Sequence, residues 1–207
     1  MVFKILNLYA GIGGNRRLWG DKYEITAVEY DKNIASVYKE FYPNDILIID
    51  DAHKFLLEHY SEFDFIWSSP PCPTHSRLRF ATFESNNAKP VYPDMRLYEE
   101  IIFLQYYFKK KYCIENVISY YEPLIKPQKI GRHYYWTNFI IKQVKDIYKN
   151  DFITADISIK DKMKLKGVDL SKFKGIDKKK VLNNMVNSYD GWLILNSAIN
   201  EYQKSLL

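Results

Sequence analysis

Apolar positions along this chain come in short runs that alternate with amphipathic stretches and are punctuated by glycine, proline and acidic residues. Val2 to Tyr9 is an apolar run leading into Ala10-Gly11-Ile12-Gly13-Gly14, which reads as a strand, a glycine turn and then a helix through Arg16-Arg17-Leu18-Trp19. Glu24 to Tyr30 predicts a second strand, and Asn33 to Tyr42 a helix ended by Pro43. Ile46 to Ile49 predicts a third strand, with a helical stretch from Lys54 to Tyr60, and Phe63 to Trp67 a fourth. Ser68 to Pro93 has no clear period and reads as a long loop, of the kind that in compact domains is functional or mobile. Leu97 to Phe108 predicts a helix, Tyr112 to Val117 a fifth strand, and the aromatic run Arg132 to Phe139 another. Asp151 to Lys180 is poorly patterned, and Trp192 to Leu206 predicts a C-terminal helix. Strands and helices alternating at this spacing imply an α/β fold with a mostly parallel, doubly wound sheet.

Composition narrows this picture without changing it. A chain of 207 residues holds one well-buried α/β domain, not two large ones, and its 47% apolar content suits a folded globule. No apolar stretch approaches the roughly 20 residues of a membrane span, and no signal-peptide pattern opens the chain, so a cytoplasmic protein without a membrane partner is expected. A monomer is expected too. Cys72 and Cys113 fall on different strand ends and are expected to be free thiols in a reducing compartment. The net charge of +5 is unevenly spread: residues 1–100 carry 11 basic and 15 acidic side chains, residues 101–207 carry 19 and 10. Lys160 to Lys180 alone holds nine lysines, which suits either phosphate-backbone contact or a solvated surface.

The candidate chemistry gathers at predicted strand ends, where open α/β sheets form their sites. Pro70-Pro71-Cys72 follows the fourth strand, and Glu115-Asn116-Val117 closes the fifth. A thiolate and a nearby acid can activate a pyrimidine ring, sulfur adding to a ring carbon while the acid steadies a ring nitrogen. The bland alternative is a rigid turn carrying an inert cysteine. Gly11, Gly13 and Gly14 let backbone approach a ligand closely, and no Gly-Lys-Ser/Thr follows that would make a phosphate-gripping loop. Glu29 ends the second strand, where a carboxylate can take both hydroxyls of a ribose, and Tyr30 beside it can stack on a base. Asp51 ends the third, placed to accept from an exocyclic amine. Each acid alone could be only a helix cap; together they make a coherent adenosine site. No metal site is expected.

With these residues in hand, the chain resembles the C5-cytosine DNA methyltransferases. Asn7-Leu8-Tyr9-Ala10-Gly11-Ile12-Gly13-Gly14, Glu29-Tyr30-Asp31, Asp51-Ala52, Ser69-Pro70-Pro71-Cys72 and Glu115-Asn116-Val117 are similar to that family's motifs, in its order. Arg132-His133-Tyr134-Tyr135-Trp136-Thr137-Asn138 resembles its arginine-bearing motif, and Asn184-Met185-Val186 its C-terminal Asn-Ser-Val motif. The resemblance implies a Rossmann-like S-adenosylmethionine-dependent methyltransferase fold acting on cytosine in double-stranded DNA, with the target base flipped out. It implies Cys72 as nucleophile held by Pro71, Glu115 as partner of the cytosine N3 and amine, and Arg132 as donor near the base oxygen. The cofactor would be lined by Tyr9, Gly11, Gly13, Gly14, Glu29, Tyr30, Asp51, Asn184 and Val186. Positive charge from Arg77, Arg79 or Arg132 is expected to lower the Cys72 pKa.

The chain departs from the pattern at several points. Asn7 stands where many relatives have Asp, Pro73-Thr74-His75 replaces Gln-Gly-Phe, and Met185 replaces a serine. His133 or Tyr134 falls where a second arginine is common, which leaves the register of Arg132 open by one residue. Only Phe139 to Lys180 lies where relatives carry a recognition domain. The expected division is therefore a catalytic and cofactor-binding core (1–150), a short basic segment (151–180) and a C-terminal helical segment packing back on the core (181–207). Nucleic-acid contacts are expected at Arg77, Arg79, Lys160, Lys162, Lys164 and Lys166. Competing readings are a tRNA cytosine-5 methyltransferase, a thymidylate-synthase-like enzyme, and a catalytically silent protein of this fold that only binds nucleic acid. The second lacks its His-and-Gln-Phe pattern after Cys72, and the third would need neither Cys72 nor Glu115.

Overall fold

The computed structural model describes residues 2–86, 89–142 and 157–204. Parts of the sequence expectations, at residues 1, 87–88, 143–156 and 205–207, lie outside the described residues. Among the described residues, seven strands form one sheet: β1 (Lys4–Leu8), β2 (Glu24–Val28), β3 (Ile46–Ile48), β4 (Phe65–Ser68), β5 (Lys111–Val117), β6 (Gln128–Ile130) and β7 (His133–Thr137), in the order β3-β2-β1-β4-β5-β7-β6. The first five are parallel; β7 runs antiparallel to β5, and β6 to β7. This mostly parallel sheet, covered by helices on both faces, is the doubly wound, Rossmann-like α/β fold expected from the sequence.

The central strands read as near-continuous apolar runs because both of their faces are covered. In β1, Ile5 joins one core cluster while Leu6 and Leu8 join the other; in β4, Phe65 and Trp67 oppose Ile66 in the same way. Helices α2 (Ala52–His59) and α4 (Arg96–Tyr107) cover the first face through Leu56, Leu97, Ile101 and Leu104. Helix α7 (Ser188–Lys204) covers the second through Leu193, Ile194 and Leu195. Helix α1 (Lys32–Phe41) lies beside the glycine turn, and α5 (Ile159–Lys166), through Met163, and α6 (Lys178–Asn184), through Val181 and Leu182, pack there with Ile12, Val37 and Leu170.

Several expectations need correction. The helix expected through Trp19 is a single 3-10 turn, Asn15–Leu18. The segment read as an irregular loop contains a helix, α3 (Arg77–Asn86). Its sequence gave no sign because it has no apolar face: Leu78 is 77% exposed, and Phe80 and Phe83 are also exposed. The poorly patterned basic stretch contains α5 and α6, started by Ser158 and Asp177 as side-chain caps. Strand β6 was not foreseen, and α7 begins four residues before Trp192. Among the described residues no helix is long and apolar enough to cross a membrane.

Candidate active site

The order of strands reverses about β1, which is flanked by β2 on one side and β4 on the other. The crevice beyond the carboxyl ends at such a point is where open α/β sheets bind ligands. Tyr9 leaves β1 with φ 54°, the only positive φ at a non-glycine among the described residues. Gly11 (φ 56°) and Gly13 (φ 77°) complete the turn. A Cβ at Gly11 would meet nothing within 4 Å, so that part of the turn is open. A Cβ at Gly13 would come within 2.2 Å of the Tyr42 ring, and Tyr42 Oη donates to the Gly13 carbonyl at 2.8 Å, so there the turn is closed against α1.

Glu29 stands at the end of β2 and accepts from the Gly11 amide (2.9 Å) and the Asp31 amide (3.0 Å), one to each carboxylate oxygen. Each oxygen keeps a further acceptor site. Tyr30 is 78% exposed beside it. Asp51 caps α2, accepting from the His53 and Lys54 amides at 2.9 and 3.2 Å, as Asp31 caps α1. Val186 returns against the turn: a Cβ at Gly14 would approach the Val186 carbonyl oxygen to 2.4 Å. Asn184 ends α6, with its side chain exposed.

The second half of the site lies across β4 and β5. Their register pairs Ser68 with Ile114, which sets the Ser69–Cys72 turn beside Glu115. The Asn116 side-chain amide donates to the Pro70 carbonyl at 2.9 Å. After Cys72, its carbonyl accepts from the His75 and Ser76 amides at 3.0 and 3.2 Å, and His75 Nδ1 meets the Tyr121 hydroxyl at 2.6 Å. Burial pushes the Cys72 thiol up to about 11, with the charge of Glu115 adding to it. Burial likewise raises the Glu115 carboxyl, opposed by His133 and by a hydrogen bond from Ser69. The resting site therefore holds a neutral thiol beside a carboxyl whose ionisation is made costlier by burial.

The expected arginines do not act on this thiol, which corrects the sequence reading. Arg77 Nε donates to the Ser119 carbonyl at 3.1 Å, and Arg79 reaches the Lys89 carbonyl at 3.5 Å. Arg132 sits exposed in the β6–β7 turn. Its neighbour His133, paired in register with Val117, brings Nε2 to 3.7 Å from Glu115 Oε1. His133 Nδ1 is buried and makes no hydrogen bond among the described residues.

The basic segment also reads differently in three dimensions. Lys162 is 1% exposed and donates to Asn183 Oδ1 at 2.7 Å, so it makes no phosphate contact; the expectation fails because α5 turns this position onto α6. Lys166 donates to the Met185 carbonyl at 3.1 Å, and its own carbonyl accepts from Arg17. Lys160 and Lys164 are exposed. Part of this segment thus braces the return of Met185 and Val186 to the glycine turn.

Sequence reasoning missed the residue that joins the two halves. Glu100, 1% exposed inside α4, accepts from the Tyr9 hydroxyl at 2.6 Å and the Ser68 hydroxyl at 2.5 Å, and meets His53 Nδ1 at 3.0 Å. A signal was available: an acidic residue on the same helical face as Leu97, Ile101 and Leu104 must be paired to be buried there.

Residues 3–101 match the family model of the C-5 cytosine-specific DNA methylases. A curated relative, the type II methyltransferase M.Bsp6I of Bacillus sp. (strain RFL6), is 36% identical over 78 residues, which cover 36% of this chain and 24% of the relative. Among solved structures, a DNMT2 variant of Spodoptera frugiperda is 29% identical with a TM-score of 0.41, over 56% of this chain and 35% of that one. The Entamoeba histolytica methyltransferase EhMeth is 17% identical with a TM-score of 0.37, over 56% and 38%. The match thus spans about a quarter of the length of the curated relative.

Proposed function

We propose that this chain, whose residues 3–101 match the C-5 cytosine-specific DNA methylases, methylates C5 of cytosine in DNA, using S-adenosylmethionine and a covalent Cys72 adduct at C6. The observation that carries the reading is the pairing of Cys72 with Glu115 on adjacent strand ends, one strand away from the open glycine turn and Glu29.

The residues present fit the cofactor. The turn is open at Gly11, a carboxylate with spare acceptor sites stands at the end of β2, and an exposed aromatic ring adjoins it. Glu29 would hold the ribose hydroxyls, Tyr30 the adenine face and Asp51 the exocyclic amine. When bound, S-adenosylmethionine supplies the electrophilic methyl that an activated C5 attacks.

The chain's own groups do the rest. Cys72 gives its proton to solvent water and its sulfur adds at C6 of the flipped base. Glu115, holding its proton, donates to N3 and accepts from the exocyclic amine, so the ring's electron pair moves towards C5. His133, 3.7 Å from Glu115, orients that carboxyl and stands on the side where the resemblance called for Arg132. After C5 loses its proton to a base, the thiolate leaves C6. Exposed Leu78, Phe80 and Phe83 on α3, next along the chain from Cys72, suit a surface that meets nucleic acid.

The test is transfer of labelled methyl from S-adenosylmethionine to unmethylated DNA and, separately, to tRNA. Label on DNA that is lost with Cys72→Ala is the expected result. Label on tRNA alone would replace DNA as substrate, and label on neither, with both nucleic acids bound, would favour the silent reading.

A further inference from the structure

We propose that Glu100 is a positioning residue of the cofactor pocket, which fixes the glycine turn through Tyr9 and ties it to the Cys72 turn through Ser68. A carboxylate taken fully out of water is tolerated only when hydrogen-bonded or paired. Glu100 meets that condition with partners from three different elements, all at the carboxyl end of the sheet. Tyr9 follows β1, Ser68 ends β4 one residue before the Ser69–Cys72 turn, and His53 lies in the first turn of α2, beside its cap Asp51. One buried side chain therefore touches the elements that would hold the methionine end of the cofactor, the nucleophile and the adenine.

The conformation of Tyr9 gives the network its purpose. A tyrosine gains nothing locally from φ 54°, which L-residues other than Asn and Asp rarely adopt. Its hydroxyl anchors the ring to Glu100. With the ring so placed, the backbone reverses and sends the Ala10 amide to the Val28 carbonyl (3.0 Å) and the Gly11 amide to Glu29 (2.9 Å). Released from Glu100, Tyr9 is free to relax towards negative φ, and both amides lose their acceptors. Burial and Glu100 hold the Tyr9 hydroxyl far above its usual range, so it stays a donor. The hydrogen bond to Glu100 raises His53, which also lies 3.2 Å from Glu99, with Arg96 opposing. Those groups, with Asp51, are the charges that face the network.

The inference rests on the methyltransferase reading only for what the pocket holds, and its test separates the two. Amide hydrogen exchange is measured at Ala10 and Gly11 in the cofactor-free protein, for wild type, Tyr9→Phe, Glu100→Gln and Ser68→Ala. Tyr9→Phe keeps the ring and guards against failure of Glu100→Gln to fold. Exchange at Ala10 and Gly11 should quicken at least tenfold in Tyr9→Phe and Glu100→Gln. The Glu29 amide, bonded to the Ile48 carbonyl outside the turn, should be unchanged. Unchanged exchange at Ala10 and Gly11 in both variants overturns the proposal. Calorimetric titration with S-adenosylmethionine is the second arm: about tenfold weaker binding by Tyr9→Phe is expected. Equal affinity in wild type and Tyr9→Phe would overturn the proposal as well, whereas no binding by wild type would sink the methyltransferase reading and leave the exchange result to decide Glu100.

Discussion

Asn116, on β5, holds the Pro70 carbonyl of the neighbouring strand end at 2.9 Å through its side-chain amide, two residues before Cys72. The bond fixes the turn that carries the thiol against the strand that carries Glu115. Asn116 is 1% exposed and Pro70 is buried too, so water does not replace the bond if it is lost. Asn116→Ala should therefore cost about 1–3 kcal/mol, the penalty for a buried carbonyl left unpaired. It should also slow formation of a covalent adduct with DNA containing 5-fluorocytosine, far more than it changes cofactor affinity. Urea unfolding and adduct kinetics, measured on the same preparation, check both halves.

The thiol itself gives a prediction about pH. With Cys72 raised to about 11 by burial and then by Glu115, alkylation by iodoacetamide in the ligand-free protein should keep rising well above pH 8.5, the ordinary cysteine value. Glu115→Gln removes the neighbouring charge and should bring the midpoint down. A folded pKa above the unfolded one means that this group's contribution to stability is complete below about pH 8.5 and is lost as pH climbs towards 11. Cys113, fully buried against Trp67 and Tyr135, should resist alkylation throughout, and Cys113→Ala should cost about 1 kcal/mol in stability. A midpoint for Cys72 near 8.5 would contradict the burial argument.

Arg16 and Asp45 form a buried pair, 2.9 Å from Nε to Oδ2, and the Tyr38 hydroxyl donates to the same carboxylate at 2.7 Å. The pair joins the 3-10 turn after Gly14 to the residues before β3. Removing Asp45 leaves the buried Arg16 guanidinium only its bond to the exposed Asp21 at 3.1 Å, so Asp45→Ala should lose about 3–5 kcal/mol by chemical denaturation. Arg16→Ala should lose a similar amount, and the double variant distinctly less than the sum. Additive losses would mean that the two residues are not coupled.

The lysines of α5 should separate by burial. Lys162→Met should alter thermal stability while leaving the salt dependence of DNA binding unchanged, because its ammonium is spent on Asn183. Lys160→Gln combined with Lys164→Gln, both exposed, should leave stability within about 0.5 kcal/mol and flatten the salt slope if this surface meets phosphates. Fluorescence anisotropy over a salt series gives the slope.

Local chemistry made much of the molecule legible in advance. A run such as Phe65 to Trp67 is apolar on both faces, which only a covered parallel strand requires. Asp51 was open to reading as a cap or as a ligand from sequence, and the structure uses it as a cap, as it does Asp31. The places that misled were those where no local pattern exists. Helix α3 has no apolar face to produce a period, and Lys162 looks like any surface lysine until α6 packs over it.

The sequence by itself determined the alternation of strands and helices, the glycine turn and the placing of Cys72 and Glu115 at strand ends. Each of these depends on residue type and on neighbours along the chain. Which side chains meet was decided by tertiary structure alone. That His133 and not Arg132 faces Glu115 follows from the pairing register of β5 with β7, since a shift of one residue would turn the other side chain to that face. That Glu100 gathers Tyr9, Ser68 and His53 follows from laying α4 across the ends of β1 and β4, contacts spanning 91, 32 and 47 residues of sequence. Interactions over such separations leave no period in the chain, only an acidic residue on a face that ought to be apolar.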